Sequence, residues 1–227
     1  MPKLRVHNVT VSLDGFAAGT DQRMDAPFGD GIDGSLHDWM FAAMKDHADG
    51  RQGTDVDFVA RSEVNIGATI MGRNMFGPFR GPWENEAWTG WWGDNPPFHH
   101  PVFVHTHHTR PTVSMKGGTD FHFTDEPVET VLARAYEAAD GKDVRIGGGP
   151  ATIQQYLRAG LVDELHLAIV PLLVGKGERL LDHLGDGVDG YEVVELVSSP
   201  AATHARLVRR SWASPGAGVT CGPRSTR

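Results

Sequence analysis

The residues with the most chemical promise fall in one run, DVRIGGGPATIQQYLRAG, residues 143–160. An apolar-leaning lead of Val144, Arg145 and Ile146 enters three consecutive glycines, Gly147, Gly148 and Gly149. Pro150 follows at a first helical position, with Ala151 and Thr152 behind it and Gly160 as the stop. Glycines after a strand reach backbone angles closed to other residues, so the chain can pass close to a ligand. Their N–H groups, with the free N–H groups of the next helix, then converge on a site for phosphate. A tight packing turn between strand and helix is the competing reading, because the run lacks the spaced glycine fingerprint.

Other groups offer chemistry with plainer alternatives. Asp14, followed by Gly15, is a turn former or a group that orients substrate. Asp38 is a capping carboxylate or, if burial raises its pKa, a proton donor. His105 and His107 share one side of an extended chain, near His99, His100 and His108. With no cysteine and no HExxH pair beside them, no metal site is expected. Trp83, Trp88, Trp91 and Trp92 either line a flat heteroaromatic pocket, meet a second copy of the chain, or pack into the core. Lys176, between two glycines, is a phosphate contact or a surface turn.

The elements that must hold these groups alternate between strand and helix. Leu4, Val6, Val9, Val11 and Leu13 mark a strand over 4–13. Residues 15–34 hold five glycines and one proline and read as a long mobile loop. Helices are expected over 36–47 and 56–64, then a buried strand over 66–71. Residues 76–101 lack a period and read as an aromatic loop over a site or at an oligomer contact. A strand over 101–104, irregular chain over 112–124 with a short strand at 121–123, and an amphipathic helix over 126–139 come next. The strongest strand spans 162–174, where Pro171 marks an edge position or a bulge. Residues 191–197 and 204–210 close as an antiparallel pair. This order implies an α/β fold: a mostly parallel central sheet with helices on both faces and an antiparallel C-terminal strand pair. One domain over 1–211 and a disordered tail over 212–227 are expected.

Composition narrows the partners. Against 29 acidic residues there are only 21 basic ones, a formal net charge of −8, and the basic groups do not cluster. That argues against a nucleic-acid partner, and any anion must be held by local groups. The single cysteine, Cys221, excludes a disulfide framework and suits a reducing cytosol. No run approaches the roughly 18 apolar residues of a membrane span, and the start lacks a signal-peptide core, so a cytoplasmic protein without a membrane partner is expected.

Three features line up in order: VSLDG closing the first strand, IMGRNMF closing the middle one, and the late IGGGPATIQQYL. With LVDELHLAIVPLLVGKGERLL behind them, the chain resembles the dihydrofolate-reductase-like family over residues 4–210. It is most similar to the branch of the reductase domain of the bifunctional riboflavin-biosynthesis deaminase–reductase. The resemblance implies a three-layer fold, an NADPH cofactor, a homodimer, and hydride transfer to a small pyrimidine- or pterin-like heterocycle. The reaction type it suggests is that of the 5-amino-6-(5-phosphoribosylamino)uracil reductases.

By that resemblance, Ile146, Gly147, Gly148, Gly149, Pro150, Ala151 and Thr152 hold the cofactor pyrophosphate. Gly72, Arg73, Asn74 and Met75 form a second phosphate turn, with Met75 where the family commonly has threonine. Arg73 would fork onto a 2′-phosphate and favour NADPH over NADH. His105, Thr106 and His107 would meet the adenosine ribose phosphate, with Arg110 nearby, while Thr10, Val11 and Ala17 surround the nicotinamide. On the substrate side, Trp39 anchors the first helix and the family's acid falls near Leu36, with Asp38 beside it. Its companion threonine is Ala168 here, and Arg80 stands where riboflavin-pathway reductases read a ribose phosphate. These departures point away from folate. The alternatives are dihydrofolate reductase proper, a deazaflavin-dependent reductase on the same fold, and a non-catalytic nucleotide-binding module.

Overall fold

The first strand, β1 (Leu4–Ser12), shows how an uneven sequence pattern becomes a regular sheet face. Leu4, Val6, Val9 and Val11 break strict alternation, yet all four join one apolar cluster. The pairing of β1 with β8 (Glu164–Val170) shifts register between Val6 and Val9, where Asn8 takes φ 57°. One inserted residue flips side-chain parity, so the valines after it return to the face that Leu4 and Val6 began. The computed structural model that shows this describes residues 1–210, and the tail expected over 212–227 lies outside them.

Among the described residues, nine strands share the main sheet. In order they are β10 (Tyr191–Ser198), β11 (Thr203–Arg209), β8, β1, β7 (Asp143–Ile146), β3 (Ile66–Gly72), β4 (Pro101–His105), β6 (Asp120–Thr124) and β5 (Val113–Ser114). From β8 through β6 every pairing is parallel, while β11, β10 and β5 pair antiparallel at the two ends. A separate ribbon joins β2 (Phe16–Ala18) to β9 (Glu178–Arg179).

Helices α4 (Val128–Ala138) and α5 (Pro150–Arg158) cover one face, where Val131, Ile153 and Leu157 pack with Ile70, Ile146 and Leu165. Helices α1 (Asp38–Ala48) and α2 (Thr54–Glu63) cover the other, where Trp39 and Val59 meet Ala168 and Val170. Each fully buried large apolar side chain contributes roughly 1.5–3 kcal/mol, so these two interfaces hold the three layers together.

Four expectations need correction. The short strand expected at 121–123 is present but runs over 120–124 and is paired on both sides, and residues 113–114 of the expected irregular chain form one of its partners, because Phe121 and Phe123 pack under the aromatic segment. Strand β8 stops at Val170, inside the sheet between β1 and β11, so Pro171 marks neither an edge nor a bulge. Proline has no N–H for the ladder, and the chain turns there, with Leu172 N–H donating to Val170 O at 2.8 Å. The loop over 15–34 is tied down by the β2–β9 ribbon and by a bridge between Thr20 and Asp30. The aromatic segment is chiefly a core cover: Trp83, Trp88, Trp92 and Phe98 pack on Met71, Phe76, Val102 and Val104.

The parallel run brings the carboxyl ends of three strands to one rim. Gly72 at the end of β3 pairs with His105 at the end of β4, and Ile70 pairs with Ile146 at the end of β7. Each strand therefore delivers its following turn to the same place.

Candidate functional site

The glycine run is partly spent on the fold and partly free. Gly147 N–H donates to Ile70 O at 2.8 Å, and Gly148 O accepts from Gly72 N–H at 2.8 Å. Gly149 O accepts from both Thr152 N–H and Ile153 N–H at 3.1 Å, which starts α5. Among the described residues, no acceptor meets the N–H groups of Gly148, Gly149 or Ala151. Gly148 sits at φ 127°, a region that disfavours any side chain, and the Gly148–Gly149 peptide is cis. A Cβ at Gly149 would point into open space. One at Gly72 would collide with Thr152 Oγ1 of α5, so the end of β3 lies close against the first turn of that helix as well as bonding to the glycine turn. The result is a small cradle of unspent amides at the start of a helix, the arrangement that suits phosphate oxygens.

In front of the cradle lies an open groove of about 430 Å³. Of the residues singled out from the sequence, Gly72, Arg73, Asn74, Arg80, His105, Thr106, His107, Gly149, Pro150, Ala151 and Thr152 line it. Arg73 opens the short helix α3 (Arg73–Phe76). Its Nε donates to Phe79 O at 3.0 Å, its Nη1 to Thr106 Oγ1 at 3.3 Å, and its guanidinium lies 3.0 Å from the Trp83 ring centroid. Its Nη2 is buried without a partner, and among the described residues no carboxylate lies in ion-pair range. Burial first, and then the neighbouring Arg110 charge, lower its pKa to about 10, so it stays a cation near neutral pH. His105 shares a 2.7 Å hydrogen bond with the buried Tyr156 of α5, and burial lowers its pKa.

The remaining sequence candidates lie elsewhere. Arg110 donates to Glu86 O at 3.2 Å and Trp88 O at 2.6 Å, which fastens the aromatic segment. Asp14 accepts from Ser12 Oγ at 2.6 Å, Val174 N–H at 3.1 Å and Gly175 N–H at 2.8 Å, so its carboxylate clamps the turn after β8 to the end of β1. These bonds, Ser12 foremost, hold its pKa down at about 2. Asp38 is exposed at the first turn of α1. Trp39 donates from Nε1 to Thr10 Oγ1 at 2.9 Å, and both are buried, as is Ala168 in the same layer. Val11, Ala17 and Ile146 belong to the cluster under α4 and α5, Met75 is exposed, and Gly147 turns inward.

Sequence reasoning missed Gln22 and Glu178 on the groove wall. No periodicity marks them, since one comes from a glycine-rich loop and the other from a two-residue strand. It also missed how Trp83 bridges Arg73 and the turn after β4. A tryptophan in a segment without period carries no sign of its partners.

Taken together, the sheet order, the glycine turn and the groove at the strand ends define a dihydrofolate-reductase-like α/β domain. Solved structures with the same fold include a candidate riboflavin biosynthesis protein from Shewanella sp. PV-4, with 20% identity and TM-score 0.58 over 92% of this chain and 99% of that one. Dihydrofolate reductase from Enterococcus faecalis, solved with NADP(H), matches with 15% identity and TM-score 0.50 over 92% and 97%. The Thermotoga maritima diaminohydroxyphosphoribosylaminopyrimidine deaminase/5-amino-6-(5-phosphoribosylamino)uracil reductase matches with 14% identity and TM-score 0.53, over 92% of this chain but 57% of that one. No protein of curated function is detectably similar in sequence. The model of the RibD C-terminal domain matches residues 2–199, and the chain belongs to that family of reductase-like domains. No helix among the described residues is long and apolar enough to cross a membrane.

Proposed function

We propose that the protein is an NADPH-dependent reductase acting on a small pyrimidine-like heterocycle, of the 5-amino-6-(5-phosphoribosylamino)uracil reductase type. One observation carries the reading: the unspent backbone N–H groups of Gly149 and Ala151, next to the equally unspent Gly148 N–H, and an arginine without a carboxylate partner among the described residues line one groove at the carboxyl ends of parallel strands. Gly148, Gly149 and Ala151 would hold the pyrophosphate through their amides, and Arg73 would meet the 2′-phosphate. Bound NADPH supplies the hydride. The chain's own contribution is to bind and orient: Thr106 fixes the Arg73 head, and Tyr156 fixes the His105 ring beside it.

Titration with NADPH should quench tryptophan fluorescence, because Trp83 lies against Arg73. Loss of nicotinamide absorbance with a ribosylaminouracil substrate, but not with dihydrofolate, is the expected activity. Absence of binding at about millimolar NADPH, an affinity weaker than about −4 kcal/mol, removes the reading. A homodimer is proposed through the edge strand β10, where Val193, Val194 and Leu196 are exposed. Light scattering giving the monomer mass at micromolar protein would exclude it.

A further inference from the structure

Trp83 makes contacts that its position in an irregular segment does not explain. Its ring lies 3.0 Å from the Arg73 guanidinium and 3.9 Å from that of Arg110. Its indole Nε1 donates to His108 O at 2.7 Å. The His108 backbone is in turn held by Thr106, whose Oγ1 accepts the His108 N–H at 3.1 Å and also the Arg73 Nη1–H at 3.3 Å. The four residues form a closed loop of contacts, and three of them, Arg73, Thr106 and His108, line the groove. Trp83 itself is anchored edge-on against Phe76 and Phe123, at 6.0 and 5.2 Å between centroids.

Two guanidinium groups against one indole, with no carboxylate in ion-pair range of Arg73 among the described residues, form an arrangement that concentrates positive charge. A cation on a ring face is attracted to the π-electrons, and it gives up water to sit there. The stack therefore restrains the Arg73 head while leaving its charge uncompensated. A restrained, partly dehydrated guanidinium binds an anion more strongly than a free one, since less side-chain freedom is lost on binding.

We propose that Trp83 is a positioning residue that sets specificity for a nucleotide bearing a second phosphomonoester, by holding the Arg73 head on the groove wall. This inference rests on the nucleotide reading of the groove and deepens it. It assigns the aromatic segment a role as the back wall of the anion site, distinct from a lid over the substrate.

The test compares two probes, adenosine 2′,5′-bisphosphate and adenosine 5′-monophosphate, by calorimetry on the wild type, Trp83→Leu and Trp83→Phe. The wild type should prefer the bisphosphate. Trp83→Leu should lose about tenfold in affinity for the bisphosphate, the scale of one weakened charge-assisted contact, with the monophosphate nearly unchanged. Trp83→Phe, which keeps a ring under Arg73 but not the bond to His108, should restore much of the preference. If Trp83→Leu does not fold, Thr106→Val serves instead, since it removes the acceptor of Arg73 Nη1, and the preference must again fall. Equal loss for both probes, or an intact preference, assigns Trp83 a purely structural part and overturns the inference while the nucleotide reading stands. A wild type that binds neither probe overturns both.

Discussion

Mild acid should destabilise this protein in a way that one side chain reports. His166 on β8 is fully buried, and its Nδ1 accepts the Asn8 backbone N–H at 3.1 Å. A backbone amide can only donate, so the His166 proton sits on Nε2 and is donated to His204 Nδ1 at 3.0 Å. His204 then donates from Nε2 to Asp55 Oδ1 at 2.7 Å. Phe58 stacks on both rings, and Trp39 stands edge-on to His204. A second proton on His166 would point at an N–H that is already there. Burial above all, then the His204, His7, Arg61 and Arg206 charges, push its pKa down from 6.5 to about 2.

The unfolded chain titrates this ring near 6.5, so between about pH 6.5 and 2 the unfolded state holds a proton that the folded state refuses. The stability of the neutral ring is complete above that window and falls by about 1.4 kcal/mol for each pH unit below 6.5. At pH 5 the loss is about 2 kcal/mol. His166→Asn keeps an acceptor near Nδ1 and cannot titrate. Urea unfolding of both proteins at about pH 7 and pH 5 gives the comparison. The variant should be the weaker protein at pH 7, because its bond to His204 is gone. Its stability should nevertheless drop about 2 kcal/mol less between the two conditions, since the other titrating groups are common to both. Equal drops would refute the argument, because they require His166 to be charged or hydrated in the folded protein.

Gly148→Asp should lower NADPH affinity at least tenfold, since it forces a side chain onto φ 127° at a strain of about 1–3 kcal/mol and sets a negative charge beside the cradle. Unchanged affinity by calorimetry would take phosphate binding away from that turn. Gly72→Ala should cost about 1–3 kcal/mol in urea unfolding through its collision with Thr152 Oγ1. Adding Thr152→Ala should recover part of that loss, and strictly additive effects would show that the end of β3 does not touch the first turn of α5. Asp14→Ala should speed hydrogen exchange at the Val174 and Gly175 amides that its carboxylate accepts from. In the wild type this protection should persist down to about pH 2, where the carboxyl itself protonates. Protection unaffected by the substitution would remove the clamp.

What the sequence determined by itself is local. The apolar, β-branched run of β1, the proline that opens α5 and the glycine that stops it act over a few positions, so their signals survive without neighbours. The glycine run likewise announced a turn made of backbone, since only glycine accepts φ 127° readily. The tertiary structure decided which amides stay free: Gly147 lost its N–H to Ile70 of β3 and Gly72 lost its own to Gly148 O in the glycine turn, while Gly148 and Gly149 kept theirs. It decided that β6 is interior, that Asp14 clamps a turn 160 residues away, and that His166, His204 and Asp55 meet. Those outcomes depend on which strands lie side by side. Strand neighbours are selected by burial summed over the whole sheet, and no short window of sequence contains that sum.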